Sequence, residues 1–172
     1  MLDVKTPLSK VHRATRRIAT GFAAVPGVWA NLSTANVLTN ITATSSAPMA
    51  LKIVLGNAST SQYESNDVAV GSISTLEGVF RAAVDTNGYQ KFGSNGTSDI
   101  SSLYVQGAEL TVAYTTGTNG TDNTNAAAAD LGKLVPAVAT ATGMLIVARV
   151  ENIDTTNNVL TFETVTPYIK RA

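Results

Sequence analysis

Acid–base chemistry near neutral pH needs a group whose proton affinity lies close to the ambient value, and histidine is the side chain that supplies one unperturbed. This chain has one, His12, set among Lys10, Arg13, Arg16 and Arg17. There is no cysteine, which removes thiolate nucleophiles, thiolate metal ligands and disulfides together. A Ser-His-Asp triad would have to recruit His12, and a zinc site would have at most one nitrogen ligand. Two carboxylate pairs have the residue types for glycoside hydrolysis, Glu64 with Asp67 and Glu151 with Asp154. The first falls in a polar turn and the second near a hairpin tip, so both read as solvated loop charges. Asn119, Asp122, Asn123 and Asn125 make an oxygen-rich run, but with one carboxylate and no calcium-loop spacing it reads as loop. No acid, base and nucleophile converge, so the expectation is a protein that is not an enzyme and holds no cofactor or metal.

What remains is charge. Lys5, Lys10, Arg13, Arg16 and Arg17 stand against Asp3 in the first 17 residues, whereas residues 18–169 hold five basic residues against eleven acidic ones. The formal neutrality of the 172 residues therefore hides a basic opening segment on an acidic remainder. Such a chain suits docking onto an acidic protein surface, which long-range attraction would steer and orient. Specific nucleic-acid binding is not expected, because no aromatic residue stands between those basic residues for base stacking. No apolar run near the start resembles a signal peptide, and the longest uncharged stretch, Leu134 to Ala148, is too short to span a bilayer as a helix. The expectation is a product of the cytoplasm that has no membrane partner.

These residues must be positioned by strands. Thr, Val, Ser, Asn and Gly are abundant while Lys, Glu and Leu are scarce, which favours pleated surfaces and turns over exposed helices. We read residues 1–24 as a basic N-terminal arm and residues 25–172 as a β-rich body, divided at Pro26-Gly27. The arm reads as an extended segment ordering only against a partner, with a short amphipathic helix through Val11, Ala14, Ile18 and Phe22 as the alternative. Strands are expected at Val28–Leu32, Val37–Ala43, Met49–Gly56, Val68–Leu76, Gly78–Val84, Leu103–Val105 and Glu109–Tyr114. Ala126–Leu131 reads as a helical turn or two, capped by Asn125 and stopped by Gly132. The closing element is a β-hairpin, Met144–Ile153 and Val159–Ile169, joined through Asp154–Asn158. Trp29, the only tryptophan, is expected in the core. The fold class is all-β: an antiparallel β-sandwich or small β-barrel with an N-terminal arm and a C-terminal hairpin.

Three stretches, Gly27-Val-Trp-Ala-Asn-Leu32, Gln106-Gly-Ala-Glu-Leu-Thr-Val112 and Leu145-Ile-Val-Ala-Arg-Val150, together with the arm, resemble the capsid decoration, or cement, proteins of tailed-bacteriophage heads. The resemblance implies a homotrimer that binds the major capsid protein lattice on the head exterior, made in the host cytoplasm, with Lys5, Lys10, Arg13, Arg16 and Arg17 as its partner contacts. It also implies that a chain lacking residues 1–20 keeps a folded body but no longer decorates. Other readings are a tail-tube, neck or head-fibre component, or a carbohydrate-binding β-sandwich on the virion that stacks sugars on Trp29 and some of Tyr63, Tyr89 and Tyr104.

Overall fold

A computed structural model describes residues 1–7, 10–20, 22, 25–41, 51–55, 71–93, 97–116, 125–126, 130–137 and 144–171. The chain is all-β, and it makes both a sheet and a barrel. The strands are β1 (Leu2–Val4), β2 (His12–Ile18), β3 (Trp29–Leu32), β4 (Val37–Thr39), β5 (Leu51–Val54), β6 (Ser72–Glu77) and β7 (Arg81–Val84). There follow β8 (Glu109–Val112), β9 (Thr115–Thr116), β10 (Asn125–Ala126), β11 (Leu134–Pro136), β12 (Leu145–Asp154) and β13 (Val159–Ile169). Six strands form an open sheet in the order β1-β7-β13-β12-β8-β11. Five close into a barrel in the order β2-β4-β3-β5-β6, and β9 and β10 make a separate parallel pair.

The hairpin of β12 and β13 is the longest pairing, and its turn follows from residue chemistry. Asp154 Oδ1 accepts from the backbone N–H groups of Thr156 and Asn157, both at 3.0 Å, while Asn158 takes a positive φ of 55°. Register shifts after Ile146 and after Val150 mark bulges that twist the pair. The edge strands of the large sheet, β1 and β11, have three residues each, and β11 ends in Pro136. Short edges and proline both discourage pairing with another chain.

Alternation along the strands builds the core. Ala82, Val84, Leu160, Phe162, Ala148, Val150, Leu110 and Val112 share one face of the large sheet by register, and all are buried. Trp29, Ile53 and Leu76 on the outer face of the barrel pack into that same apolar cluster. A second cluster, Phe22, Ala30, Leu38, Val54 and Ile73 with Ile18 and Leu32 against it, fills the barrel interior. Trp29 is thus buried, as its position after Pro26-Gly27-Val28 suggested.

Three local expectations are corrected. The opening segment neither stands apart nor winds into a helix: β1 pairs with β7, and β2 pairs with β6 from His12↔Glu77 to Arg17↔Ser72. Tertiary pairing overrides the weak helical spacing because β2 completes the barrel. Leu103–Val105 is not a strand: Ser101–Leu103 forms a single 3-10 turn that buries Tyr104 and leaves Leu103 and Val105 exposed. Asn125 and Ala126 lie in β10, so neither caps nor starts the expected helical turn; residues 127–129 fall outside the described residues, and Asp130 has 3-10 conformation.

Candidate functional site

The five basic residues expected to meet a partner are not gathered in one patch. Lys5 pairs with Asp3, and its backbone N–H donates to the Arg81 carbonyl at 2.8 Å. Lys10 is exposed just before β2. Along β2 the side chains alternate between the two faces of the barrel wall. Arg13 and Arg17 are exposed, and Arg13 donates from Nε and Nη2 to the hydroxyl of Ser74 at 3.2 and 2.9 Å. Arg16, between them, lies on the register face of Ile73 and Ala14 and is mostly enclosed. The structure therefore brings Arg13 and Arg17 to the surface on β2, with Lys10 exposed just before it, and assigns Arg16 to another task.

That task is to hold Glu77. The Glu77 carboxylate, at the end of β6, receives Arg16 Nη2 at 2.8 Å, Lys52 Nζ at 3.2 Å and His12 Nδ1 at 3.5 Å. Arg16 Nη1 also donates to the side-chain carbonyl of Asn36 at 2.8 Å. The side chains of Arg16, Lys52 and Glu77 are 19%, 12% and 20% exposed, so the cluster sits in a partly dehydrated setting. Burial alone would push the Glu77 carboxyl up, but the hydrogen bonds and charges of Arg16 and Lys52 outweigh it and hold the group below its ordinary value. Neither Lys52 nor Glu77 stands out in the sequence, although a lone lysine in Leu51-Lys-Ile-Val54 is the signal that marks the site.

Beside this cluster, at the seam between barrel and sheet, lies a cavity of about 190 Å³. Trp29, Leu76, Val79, Phe80, Val165 and Pro167 give it apolar walls, and Lys52 and Glu77 bring charge to it. The Trp29 indole N–H is buried without an acceptor.

On the outer face of the large sheet the charges form a row. Arg81 is opposite Glu163, Glu163 is opposite Arg149, and Arg149 is opposite Glu109, so signs alternate across β7, β13, β12 and β8. Glu151 reaches Arg81 Nε at 2.5 Å, and Lys170 Nζ reaches Glu109 at 2.7 Å. The Lys170 ammonium and then the Tyr168 hydroxyl hold the Glu109 carboxyl below the usual carboxylate range. Opposite charges facing each other across strands stabilise the pairing directly.

The remaining candidates separate. Glu151 pairs with Arg81 while Asp154 caps the hairpin turn, so these two carboxylates have different partners. Glu64, Asp67, Tyr63, Asn119, Asp122 and Asn123 lie outside the described residues. Tyr89 and Tyr104 are not platforms for sugars: both are 1% exposed and pack edge-to-face at 5.3 Å. Among the described residues no three His, Asp or Glu side chains are grouped to hold a metal ion, and no helix is long and apolar enough to cross a membrane. Comparison with protein-family models, with curated proteins and with solved structures finds no match for this chain.

Proposed function

We propose that this protein is a non-enzymatic structural protein of a bacteriophage head, a decoration protein that binds the major capsid protein lattice as a homotrimer and stabilises the shell from outside. The observation that carries the reading is the exposed pair Arg13 and Arg17 on β2, with exposed Lys10 just before the strand, on a chain whose remainder is net acidic. Held in a strand, the two arginines meet a partner with less loss of freedom than they would from a flexible arm, so each charge-assisted contact retains more of its strength. Repeating these charges in three copies multiplies weak contacts into avidity. The resemblance of Gly27–Leu32, Gln106–Val112 and Leu145–Val150 to cement proteins supplies the identity of the partner.

The test is charge reversal rather than truncation, because residues 1–20 include two strands of the fold. Arg13→Glu/Arg17→Glu is expected to stay folded by circular dichroism and to lose co-sedimentation with expanded capsids, and wild-type occupancy is expected to fall with added salt. Full, salt-independent occupancy by the reversed variant would overturn the reading of these charges. Native mass spectrometry supplies the second check: a trimer is expected, and a monomer at every concentration would remove the trimeric part.

A further inference from the structure

A cleft of about 320 Å³ opens between two segments of the chain, residues 86–93 and residues 130–133. Its size falls at the low end of the range for small-molecule sites. Backbone hydrogen bonds tie the two segments together: the Gln90 N–H donates to the Leu134 carbonyl at 3.0 Å, and the Leu134 N–H donates to the Gly88 carbonyl at 2.9 Å. The buried Tyr104 hydroxyl donates to the Gln90 carbonyl at 2.6 Å, so Gln90 is fixed in place before anything enters the cleft.

Gln90 is the residue that calls for a ligand. It is 4% exposed and lines the cleft, yet among the described residues no donor reaches its side-chain carbonyl oxygen. A buried acceptor left open costs free energy that a donor brought by a ligand recovers. Phe92 lines the same cleft and is 43% exposed, so part of an aromatic ring stands free to be covered.

The charges narrow the choice of ligand. Lys133 Nζ lies 2.5 Å from Asp130 and Lys91 Nζ lies 3.9 Å from Asp99, so each ammonium lining the cleft has a carboxylate beside it. A charged ligand would be attracted by one member of each pair and repelled by the other. A neutral one leaves both pairs in place. It has to donate to Gln90, and it meets further acceptors and donors in Asp130, Asn87 and Lys133. A hydroxyl both donates and accepts, so a ring carrying several of them matches this mixture, while the C–H face of that ring suits the negative face of Phe92.

We infer that this cleft binds a neutral saccharide, with the C–H face of one sugar ring against Phe92 and its hydroxyls donating to Gln90 Oε1 and the Asp130 carboxylate. The site shares no residue with the exposed arginines of β2 and stands or falls apart from the decoration role.

The full chain, isotope-labelled, is titrated with the methyl glycosides of glucose, galactose and mannose and followed by NMR through the amide signals of residues 86–93 and 130–133. Cyclohexanol keeps a ring without the array of hydroxyls, sorbitol keeps the hydroxyls without the ring, glucuronate adds a charge, and adenosine offers a base to stack. At least one glycoside is expected to shift these signals saturably and to bind about tenfold more tightly than cyclohexanol or sorbitol. Phe92→Ala changes an exposed side chain, so it keeps the fold, and it is expected to weaken that glycoside about tenfold. Gln90→Met keeps the length of the side chain, removes the amide and is expected to weaken it as well. Should Gln90→Met fail to fold, Phe92→Ala alone decides. Equal binding of cyclohexanol or sorbitol overturns the inference. So does a stronger response to glucuronate or adenosine than to every glycoside, the absence of any response at millimolar concentration, or glycoside binding unchanged in Phe92→Ala.

Discussion

Glu77 and Arg16 lie on antiparallel neighbours, yet they are not opposite each other: His12 is the partner of Glu77 in register, and Arg16 reaches it along the barrel wall to close a 2.8 Å ion pair. The diagonal matters because one side chain at the end of β6 ties together His12 and Arg16, four positions apart on β2. A flush pair would fix a single rung.

Glu77→Gln keeps the shape and removes the charge. An exposed ion pair contributes up to about 1 kcal/mol and breaking a buried one costs about 3–5 kcal/mol, so this cluster, about one-fifth exposed, should lose roughly 2–3 kcal/mol. Its folded-state proton affinity lies below the ordinary value of 4.5, so the stability it contributes is fully present above pH 4.5 and is lost as pH falls below it. Urea melts from pH 7 to pH 3 should show a steeper acid loss for wild type than for Glu77→Gln.

Gly132 should resist substitution far more than Gly107. Both have positive φ, +84° and +83°, but a Cβ on Gly132 would stand 2.3 Å from the Trp29 carbonyl oxygen and 2.7 Å from Val28 Cγ1. Gly132 also donates to the Ala113 carbonyl and accepts from the Trp29 N–H, at 2.7 and 2.8 Å, so it cannot move aside without breaking both bonds. A Cβ on Gly107 would meet nothing within 4 Å, leaving only the left-handed backbone cost of about 1–2 kcal/mol. Thermal melts of Gly107→Ala should show that modest loss, while Gly132→Ala should lose more than twice as much.

Tyr104 should report alkaline unfolding. Its hydroxyl lies 2.6 Å from the Gln90 carbonyl oxygen and 3.1 Å from that of Leu134, and the residue is 1% exposed. Burial, and then the neighbouring Tyr89, push its ionisation well above the ordinary 10.0. The neutral phenol therefore contributes stability that is full below pH 10 and is lost as pH rises beyond it. Absorbance at the phenolate band should show a tyrosine that ionises only as the fold melts. Tyr104→Phe removes the hydrogen bond and should cost about 1–3 kcal/mol at pH 7.

A chain beginning after residue 20 lacks β1 and β2, and it should not behave as an intact body freed of an arm. β6 loses the strand it pairs with over six register positions. Hydrogen exchange should show lost protection across 72–77, with β12 and β13 still protected by each other. Unchanged protection at 72–77 would count against the barrel as drawn.

How far the sequence speaks can be followed strand by strand. Residues 144–169 are legible because alternation, length and an Asp-Thr-Thr-Asn-Asn turn all agree on a hairpin. Residues 12–18 are not, because Arg13, Arg16 and Arg17 place charge on both faces of β2 and mask the alternation that a strand normally displays. Leu103-Tyr104-Val105 misleads in the other direction: its aliphatic and aromatic side chains suit a strand, yet only Tyr104 turns inward, from a single tight turn. In the candidate site the basic residues of β2 were visible as charge, but Lys52 and Glu77 were not. Their importance arises from neighbours on three strands, β2, β5 and β6, that only closure of the barrel brings together.

The position of β13 bears on how the chain reaches this arrangement. It lies between β7 and β12, so the two halves of the large sheet meet only through residues 159–169. During synthesis, at roughly 5–20 residues per second, β7 and β8 emerge before β12 and β13, the two strands that lie between them. For that interval the apolar faces of Ala82, Val84, Leu110 and Val112 lack their final cover. β2 likewise waits for a partner 61 residues downstream. So high a contact order predicts slow, largely post-translational folding, and a nascent chain that gains most from a holdase while its sheet is still in two pieces.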